Sequence, residues 1–303
     1  MINEHTALQI CSDQLGWTPL ETARLHGTSH IVFVFHNKDR HVVLRFPKKQ
    51  NANWIGEQLA IKTWLRNHQV LVPMTFATGR DTGESEIPWM LVEYGGVPLN
   101  RVDITDDQRR DLDWQAGEIL ANMHAKNADE NSGIIDLCTG KFEISDLQAK
   151  RSALSEKALE WFVEKDRVGG ADRARIYELL SRIERTNSYT ICHGDYTPDN
   201  LLVSGGRIRF IVDWERTLSV TDPLQDLIRW EMVRRLWGGD FDSPTQGYFQ
   251  ISADEPRYRA QRIPLLIQQL LIRLHVGQKF HYQETNRRFR ELLWFLLNET
   301  GTG

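Results

Sequence analysis

The sequence predicts an α+β chain of two lobes, the first rich in strands and the second mainly helical. Three observations carry this. The first ninety or so residues hold short β-branched and aromatic runs cut by polar turns. Gly95-Gly96 then interrupts the pattern, and most of the chain beyond it spaces its apolar residues as helices do. A boundary at Tyr94–Val97 divides the 303 residues into lobes 1–94 and 95–303. At 41% hydrophobic residues, the chain has ample material for a sizeable core.

In chain order, Leu20–Leu25, His30–Phe35 and His41–Phe46 read as strands, with His26-Gly-Thr-Ser29 and His36-Asn-Lys-Asp-Arg40 as turns. Alternation along Val42-Val-Leu-Arg-Phe46 points Val43 and Arg45 the same way. Trp54–Asn67 has helical spacing and carries Glu57. Val70–Thr75 and Trp89–Tyr94 supply two more strands, after which Gly95-Gly96 lets the chain turn out of the sheet. Thr105-Asp-Asp-Gln108 has the form of a capping box and starts a helix through Leu112, Ala116, Leu120 and Met123, with Met123 and His124 expected in the core. Residues 146–165 and 171–187 read as charged amphipathic helices whose charges pair along solvated faces. Asp222-Pro223 is a helix start, with Asp as cap and Pro at the first position. Residues 258–299 form two or three more helices.

Chemistry concentrates in Ile191-Cys-His-Gly-Asp-Tyr-Thr-Pro-Asp-Asn-Leu-Leu-Val203 and Arg209-Phe-Ile-Val-Asp-Trp-Glu215. In each, an apolar run ends in a polar turn that carries a carboxylate. Asn200 lies five places beyond Asp195. The turn Ser204-Gly205-Gly206 then returns the chain through Ile208–Val212, so that Asp213 emerges near the first turn. A carboxylate able to accept a hydroxyl proton, a neutral amide oxygen and a second carboxylate converge. Phosphoryl transfer needs this set, because phosphates must be held by Mg²⁺ while an acceptor hydroxyl is oriented in line.

His-Gly-Asp-x-x-x-x-Asn followed by Ile-Val-Asp-Trp-Glu resembles the aminoglycoside phosphotransferase family, the small-molecule branch of the protein-kinase-like fold. The resemblance implies a bilobal protein-kinase-like fold, with a nucleotide-binding first lobe and a catalytic, substrate-binding second lobe. It implies ATP or GTP as co-substrate, Asp195 as the group that takes the acceptor's proton, and Asn200 and Asp213 as ligands of Mg²⁺. Thr28 and Ser29 would offer backbone N–H groups to the phosphates. Arg45 stands where the family's relatives in the protein kinases carry a phosphate-binding Lys, with Glu57 as its ion-pair partner. A guanidinium grips phosphate oxygens bidentately, and Lys48 or Lys49 could share the task. Backbone groups from Val92 through Glu93 to Tyr94 would bond the base. His193 would brace the loop, and Asp226 would bond its backbone from below. Trp214 and Glu215 replace the Phe-Gly of protein kinases, which argues against a mobile activation segment.

The acceptor is a small molecule, with an aminoglycoside or similar amino-containing antibiotic expected first. Choline, homoserine, a related alcohol or a macrolide are the alternatives. The expectation rests on Trp237–Glu255, a Gly-rich segment between helices that holds Asp240, Asp242, Asp254 and Glu255 with no Lys or Arg. Trp237, Phe241, Tyr248 and Phe249 are interleaved with these carboxylates, a mixture suited to amines through charge-assisted hydrogen bonds and cation–π contacts. Asp240, Asp242 and Glu255 are therefore candidate acceptor ligands.

Net charge and cysteine usage exclude several other classes. A formal charge of −4 and a pI near 6.2 offer no basic field to nucleic acid or anionic lipid. Cys11, Cys138 and Cys192 show neither zinc spacing nor a disulfide framework. With no signal pattern and no membrane-length apolar run, a cytoplasmic protein is expected. A metal-dependent hydrolase built on His193, Asp195 and Asp213 would want a second His/Asp cluster, and no other His has matching spacing. A binding-only pseudokinase is the remaining rival, and only Arg45 leans that way.

Overall fold

The computed structural model describes residues 3–299 apart from 17, 27–29, 39, 49–52, 81–85, 130, 167, 187, 216 and 278–282. Thr28, Ser29 and Lys49 therefore lie outside the described residues.

The first lobe runs α1 (Glu4–Leu15), β1 (Glu21–His26), β2 (His30–Asn37), β3 (Arg40–Pro47), α2 (Trp54–Asn67), β4 (Thr75–Arg80) and β5 (Pro88–Glu93). Its strands form one antiparallel sheet in the order β1-β2-β3-β5-β4. Side chains alternate across β3 as strand geometry requires. Val42, Leu44 and Phe46 join Phe33, Phe35, Trp89 and Leu91 under α1, which contributes Ala7 and Cys11. The opposite face packs Val43, Met90 and Val92 against Trp54 at the start of α2. Arg45, two residues beyond Val43, thus faces α2.

Two assignments in this lobe need correction. No helix was expected before Leu20, yet α1 forms there, capped by the Asn3 side chain on Thr6 N at 2.8 Å. Only Ala7 and Cys11 are buried along it, too sparse an apolar stripe to announce a helix. The strand expected at Val70–Thr75 begins only at Thr75. Pro73 has no N–H to give a ladder, and Val70 and Val72 are instead buried along an extended connector. The carbonyls of that connector serve other elements: Pro73 O accepts from Arg66 and Leu71 O from Ile211 N.

Gly95 and Gly96 lead out of the sheet into β6 (Val97–Pro98). A Cβ on Gly96 would lie 1.8 Å from Val203 O, and its φ is +100°, so only glycine lets the chain pass. The second lobe continues through α3 (Asp106–Lys126), β7 (Ala128–Asp129), β8 (Gly133–Asp136), β9 (Lys141–Ile144), α4 (Leu147–Asp166) and α5 (Gly170–Ser181). After these come β10 (Tyr189–Cys192), β11 (Leu201–Ser204), β12 (Arg207–Ile211), β13 (Thr217–Thr221), α6 (Leu224–Trp237), α7 (Asp242–Phe249), α8 (Glu255–Gly277) and α9 (Gln283–Glu299). The capping box of Thr105 and Gln108 forms with both of its hydrogen bonds. α5 stops at Ser181 rather than 187, and the acidic Gly-rich segment contains α7.

The larger hydrophobic core lies among the helices of the second lobe but extends across the boundary. Ile61 and Leu65 of α2, with Val70 and Val72, pack into the same cluster as Ile211 and Leu224. α2 is therefore anchored on both lobes, and the hairpin β11–β12 meets β6 in a three-stranded ribbon directly below the lobe junction.

Candidate active site

Asp195 and Asn200 sit on the loop between β10 and β11. Asp226, fully buried on α6, accepts the backbone N–H groups of His193 and Gly194 at 2.8 Å each. Hydrogen bonds to an ionised carboxylate are strong, so this pair fixes the loop from beneath. His193 Nε2 donates to Val212 O at 3.0 Å while its Nδ1 accepts from Asp195 N at 3.2 Å. Those two bonds define its tautomer and tie Asp195 to the strand that delivers Asp213. His193 braces the loop and spends both ring nitrogens on it.

Asn200 is anchored by its amide nitrogen, which donates to Asp195 O at 2.9 Å and to Asp195 Oδ2 at 3.3 Å. That leaves Asn200 Oδ1 without a protein donor among the described residues. Val212 N donates to Asn200 O at 2.9 Å, which sets Asp213 beside the same loop. Asp213 has φ of +66°, a left-handed conformation that Asp tolerates better than most residues and that marks functional turns. Behind it, Trp214 donates to Ile211 O at 2.9 Å and its ring lies 4.4 Å from that of His193. Two hard oxygen donors, the Asn200 amide and the Asp213 carboxylate, are thus carried on segments joined by the Val212–Asn200 hydrogen bond, and among the described residues no protein cation bonds either. This donor set fits Mg²⁺, which takes one or two protein oxygens and keeps water and phosphate for the rest.

Across the junction, Asp213 shares a cavity with Arg45, His30, Gln58 and Lys62. Arg45 is within 3.3 Å of His30 Nδ1. Burial lowers the Arg45 pKa, opposed by the charge of Asp213. Lys62 is buried on α2, with its ammonium on Thr75 Oγ1 at 3.1 Å. Burial, then the neighbouring Arg45 and Arg66, pull its pKa down to about 7, against a pull upward from Glu93. Two basic side chains thus stand on one side of the cavity and a carboxylate on the other, a charge distribution that fits phosphate oxygens together with a metal ion. Glu57 lies next to Gln58 on α2, and the cavity-facing positions of that helix are Gln58, Ile61, Lys62 and Leu65.

At the lobe junction, Val92 is buried in β5, and Glu93 accepts from Met74 N at 3.2 Å and lies 3.5 Å from Arg209. Tyr94 stacks on His41, with ring centroids 5.4 Å apart.

Asp195 is held by cations. Arg229 on α6 places Nε and Nη2 at 2.8 and 2.7 Å from Asp195 Oδ1, and Arg273 on α8 comes to 3.8 Å. Burial would raise the Asp195 pKa, but Arg229, Arg273 and His193 outweigh it and keep the carboxyl below its usual range.

A family model described as the phosphotransferase enzyme family matches residues 22–261. The chain belongs to that family. This phosphotransferase shares its fold with solved aminoglycoside phosphotransferases at low identity. A thermostable mutant of aminoglycoside phosphotransferase APH(4)-Ia, in ternary complex with AMP-PNP and hygromycin B, is 15% identical. It superposes with a TM-score of 0.68 over 98% of this chain and 99% of that one. The GDP complex of aminoglycoside 2'-phosphotransferase-IIIa is 16% identical, with a TM-score of 0.65 over 99% and 100%. The GDP and kanamycin complex of APH(2")-IIIa is 17% identical, with a TM-score of 0.62 over 97% and 98%. A comparison with curated proteins finds no match. The fold is the kinase-like one, and among the described residues no helix is long and apolar enough to cross a membrane.

The acidic segment of this phosphotransferase is occupied with internal bonds. Asp240 accepts from Asp242 N, from Ser243 N and from the Ser243 hydroxyl, closing the turn before α7. Glu255 pairs with Arg259, and Asp254 with Arg257. Asp242 and Glu255 line a cleft with Trp114, Phe249, Arg259 and Arg262 that contains no residue of the loop carrying Asp195 and Asn200. Lys62, Arg229 and Arg273 were not singled out from the sequence. A trace of Lys62 was available: it falls between Ile61 and Leu65 on the apolar stripe of its helix, where a lysine is out of place. Arg229 and Arg273 lie on helices rich in arginine and carried no distinguishing signal.

Proposed function

We propose that this phosphotransferase transfers the γ-phosphoryl group of ATP or GTP to a hydroxyl of a small molecule in the cytoplasm. The observation that supports it best is the meeting of Asp195, Asn200 and Asp213, linked through Asn200 Nδ2 on Asp195 and Val212 N on Asn200 O. In this reading Arg45 and Lys62 grip phosphate oxygens, with Glu57 as the ion-pair partner of Arg45. Backbone groups of Val92 to Tyr94 take the base, and Thr28 and Ser29 contact the phosphates. Asn200 Oδ1 and Asp213 would hold Mg²⁺, which when bound would supply charge neutralisation at the phosphates. Asp195 Oδ2 orients the acceptor hydroxyl and takes its proton late. An aminoglycoside or similar antibiotic as acceptor has the neighbours bound to hygromycin B and kanamycin on its side. Asp240 and Glu255, however, are spent on Ser243 and Arg259, and Asp242 and Glu255 line a cleft apart from Asp195. The expected contacts through Asp240, Asp242 and Glu255 therefore do not carry it. Choline, homoserine or a macrolide is the alternative. All three cysteines are free, in keeping with a reducing compartment.

Two variants test the assignment. Asp195→Ala should lower kcat by about 10²–10⁴-fold, the usual worth of a general base, and leave nucleotide affinity intact. Asp213→Ala should lose Mg²⁺-dependent nucleotide binding, read by calorimetry. Near wild-type kcat in Asp195→Ala would show that another group takes the proton.

A further inference from the structure

The side of Asp195 away from the nucleotide cavity is lined by cations from three helices. Arg229 of α6 uses two N–H groups on Asp195 Oδ1, which saturates that oxygen. Asn200 takes one position on Oδ2, leaving the other for a hydroxyl. Arg273 of α8 behaves differently. Its side chain is 40% exposed, and its only ion pair among the described residues is the long one of 3.8 Å to Asp195. Arg273 lines a small cavity with Arg151, Gly194, Gln225, Gln269 and Ile272, and no carboxylate belongs to that lining. Arg151 is committed to Gln225 Oε1 at 2.9 Å. Burial, then the like charge of Arg229, lowers the Arg273 pKa to about 10, with Asp195 opposing and Arg151 adding. The carboxylates facing these guanidiniums are Asp195, the buried Asp226, which acts on Arg151 and spends its oxygens on His193 N and Gly194 N, and Asp222, which pairs with Arg257. Against Arg229, Arg273 and Arg151, one positive charge is left over beside the group that receives the acceptor.

An ammonium group entering here meets Arg273 and Arg151 with no carboxylate to pair with. An anion meets guanidinium donors that the described residues leave unused. We propose that the acceptor is a hydroxylated small molecule bearing an oxyanion, a carboxylate or a phosphate, and that Arg273 binds this oxyanion while Asp195 receives the hydroxyl. The proposal rests on the phosphotransferase reading of Asp195 and replaces the amino-compound expectation for the acceptor. In the step it serves, the acceptor oxygen bonds the γ-phosphorus as the bond from that phosphorus to the nucleoside diphosphate breaks. The hydroxyl proton passes to Asp195, and the products are the phosphorylated acceptor and the diphosphate. Arg273 takes no proton; it fixes the hydroxyl's distance from Asp195 through the anion it holds.

The test is coupled release of nucleoside diphosphate with acceptors that share a skeleton and differ in charge: glucosamine, glucose, gluconate and glucose 6-phosphate, with kanamycin alongside. An anionic member should exceed its neutral and cationic counterparts by at least tenfold in kcat/KM, and gluconate against glucose 6-phosphate separates carboxylate from phosphate. Arg273→Gln should raise KM for that anion by roughly 10–100-fold, the worth of a charge-assisted hydrogen bond. It should leave nucleotide KM unmoved, and Arg273→Lys should restore part of the loss. Preference for glucosamine or kanamycin, or an unchanged anion KM in Arg273→Gln, would overturn the proposal while leaving the kinase reading intact. If no member turns over, melting with sodium sulfate decides. A sulfate-dependent rise in wild type that Arg273→Gln lacks supports an oxyanion site, and equal rises in both overturn it. Failure of the kinase reading has its own signature: no acceptor-dependent release of nucleoside diphosphate together with no Mg²⁺-dependent nucleotide binding, whereas undiminished turnover in Asp195→Ala would displace only the base.

Discussion

Two positions on α2 show how a residue's neighbours decide its chemistry. Gln58 and Lys62 are one turn apart on the face that looks at Arg45, and Lys62 is buried there with Thr75 as its hydrogen-bond partner. A buried ammonium facing two guanidiniums is costly, and its pKa falls to about 7 for that reason. An unfolded lysine near 10.5 holds its proton where the folded one has lost it. Stability contributed by this group therefore rises with pH between about 7 and 10.5, and below 7 the full penalty is present. A bound triphosphate reverses the preference, because its oxygens favour the ammonium. Nucleotide binding at pH 8 should then take up about one proton per site, measured as the difference in binding enthalpy between two buffers of unlike ionisation enthalpy. Lys62→Met should remove the uptake. An uptake that persists in Lys62→Met would assign the proton elsewhere, and none in wild type would place the phosphates away from this lysine.

At the scale of elements, the legible parts were those fixed by a local rule. The hairpin strands, the helix Trp54–Asn67, the capping box at Thr105 and the exit at Gly95-Gly96 all obey one. Elements held mainly by tertiary pairing were not legible: β7 and β8 are short strands that exist because β10 and β13 offer them ladders, and β9 pairs in turn with β8. In the site, Asp195, Asn200 and Asp213 came from motif spacing, whereas Arg229 and Arg273 reach Asp195 only through the packing of α6 and α8. Glycine substitutions separate local from tertiary demands. Gly205 has φ of +59° with nothing within 4 Å of a Cβ, so it asks only for a left-handed residue. Gly205→Asn should change the urea midpoint little. Gly96→Ala meets both a positive φ and the Val203 carbonyl, and should destabilise by about 2 kcal/mol or more. Equal midpoints for the two variants would mean that β6 can withdraw from β11 without cost.

At the scale of the molecule, the two lobes are coupled by α2 and by the Leu71–Ile211 hydrogen bond, which joins the connector of the first lobe to the strand leading to Asp213. The proposed nucleotide site spans this junction, with Arg45 and Lys62 above and Asn200 and Asp213 below. A ligand that bonds both sides at once stabilises the native chain by mass action, about 2.7 kcal/mol at a hundred times its Kd. For a chain of this length that amounts to a rise of about 4 °C in Tm. The rise should need Mg²⁺, because phosphate oxygens beside Asp213 are otherwise repelled by its carboxylate. Melting wild type and Asp213→Ala with AMP-PNP, with and without Mg²⁺, checks this. Wild type should show the full rise only with the metal, and Asp213→Ala should show the same small rise in both conditions. A metal-independent rise in wild type would confine the nucleotide to the cations of the first lobe and detach Asp213 from it.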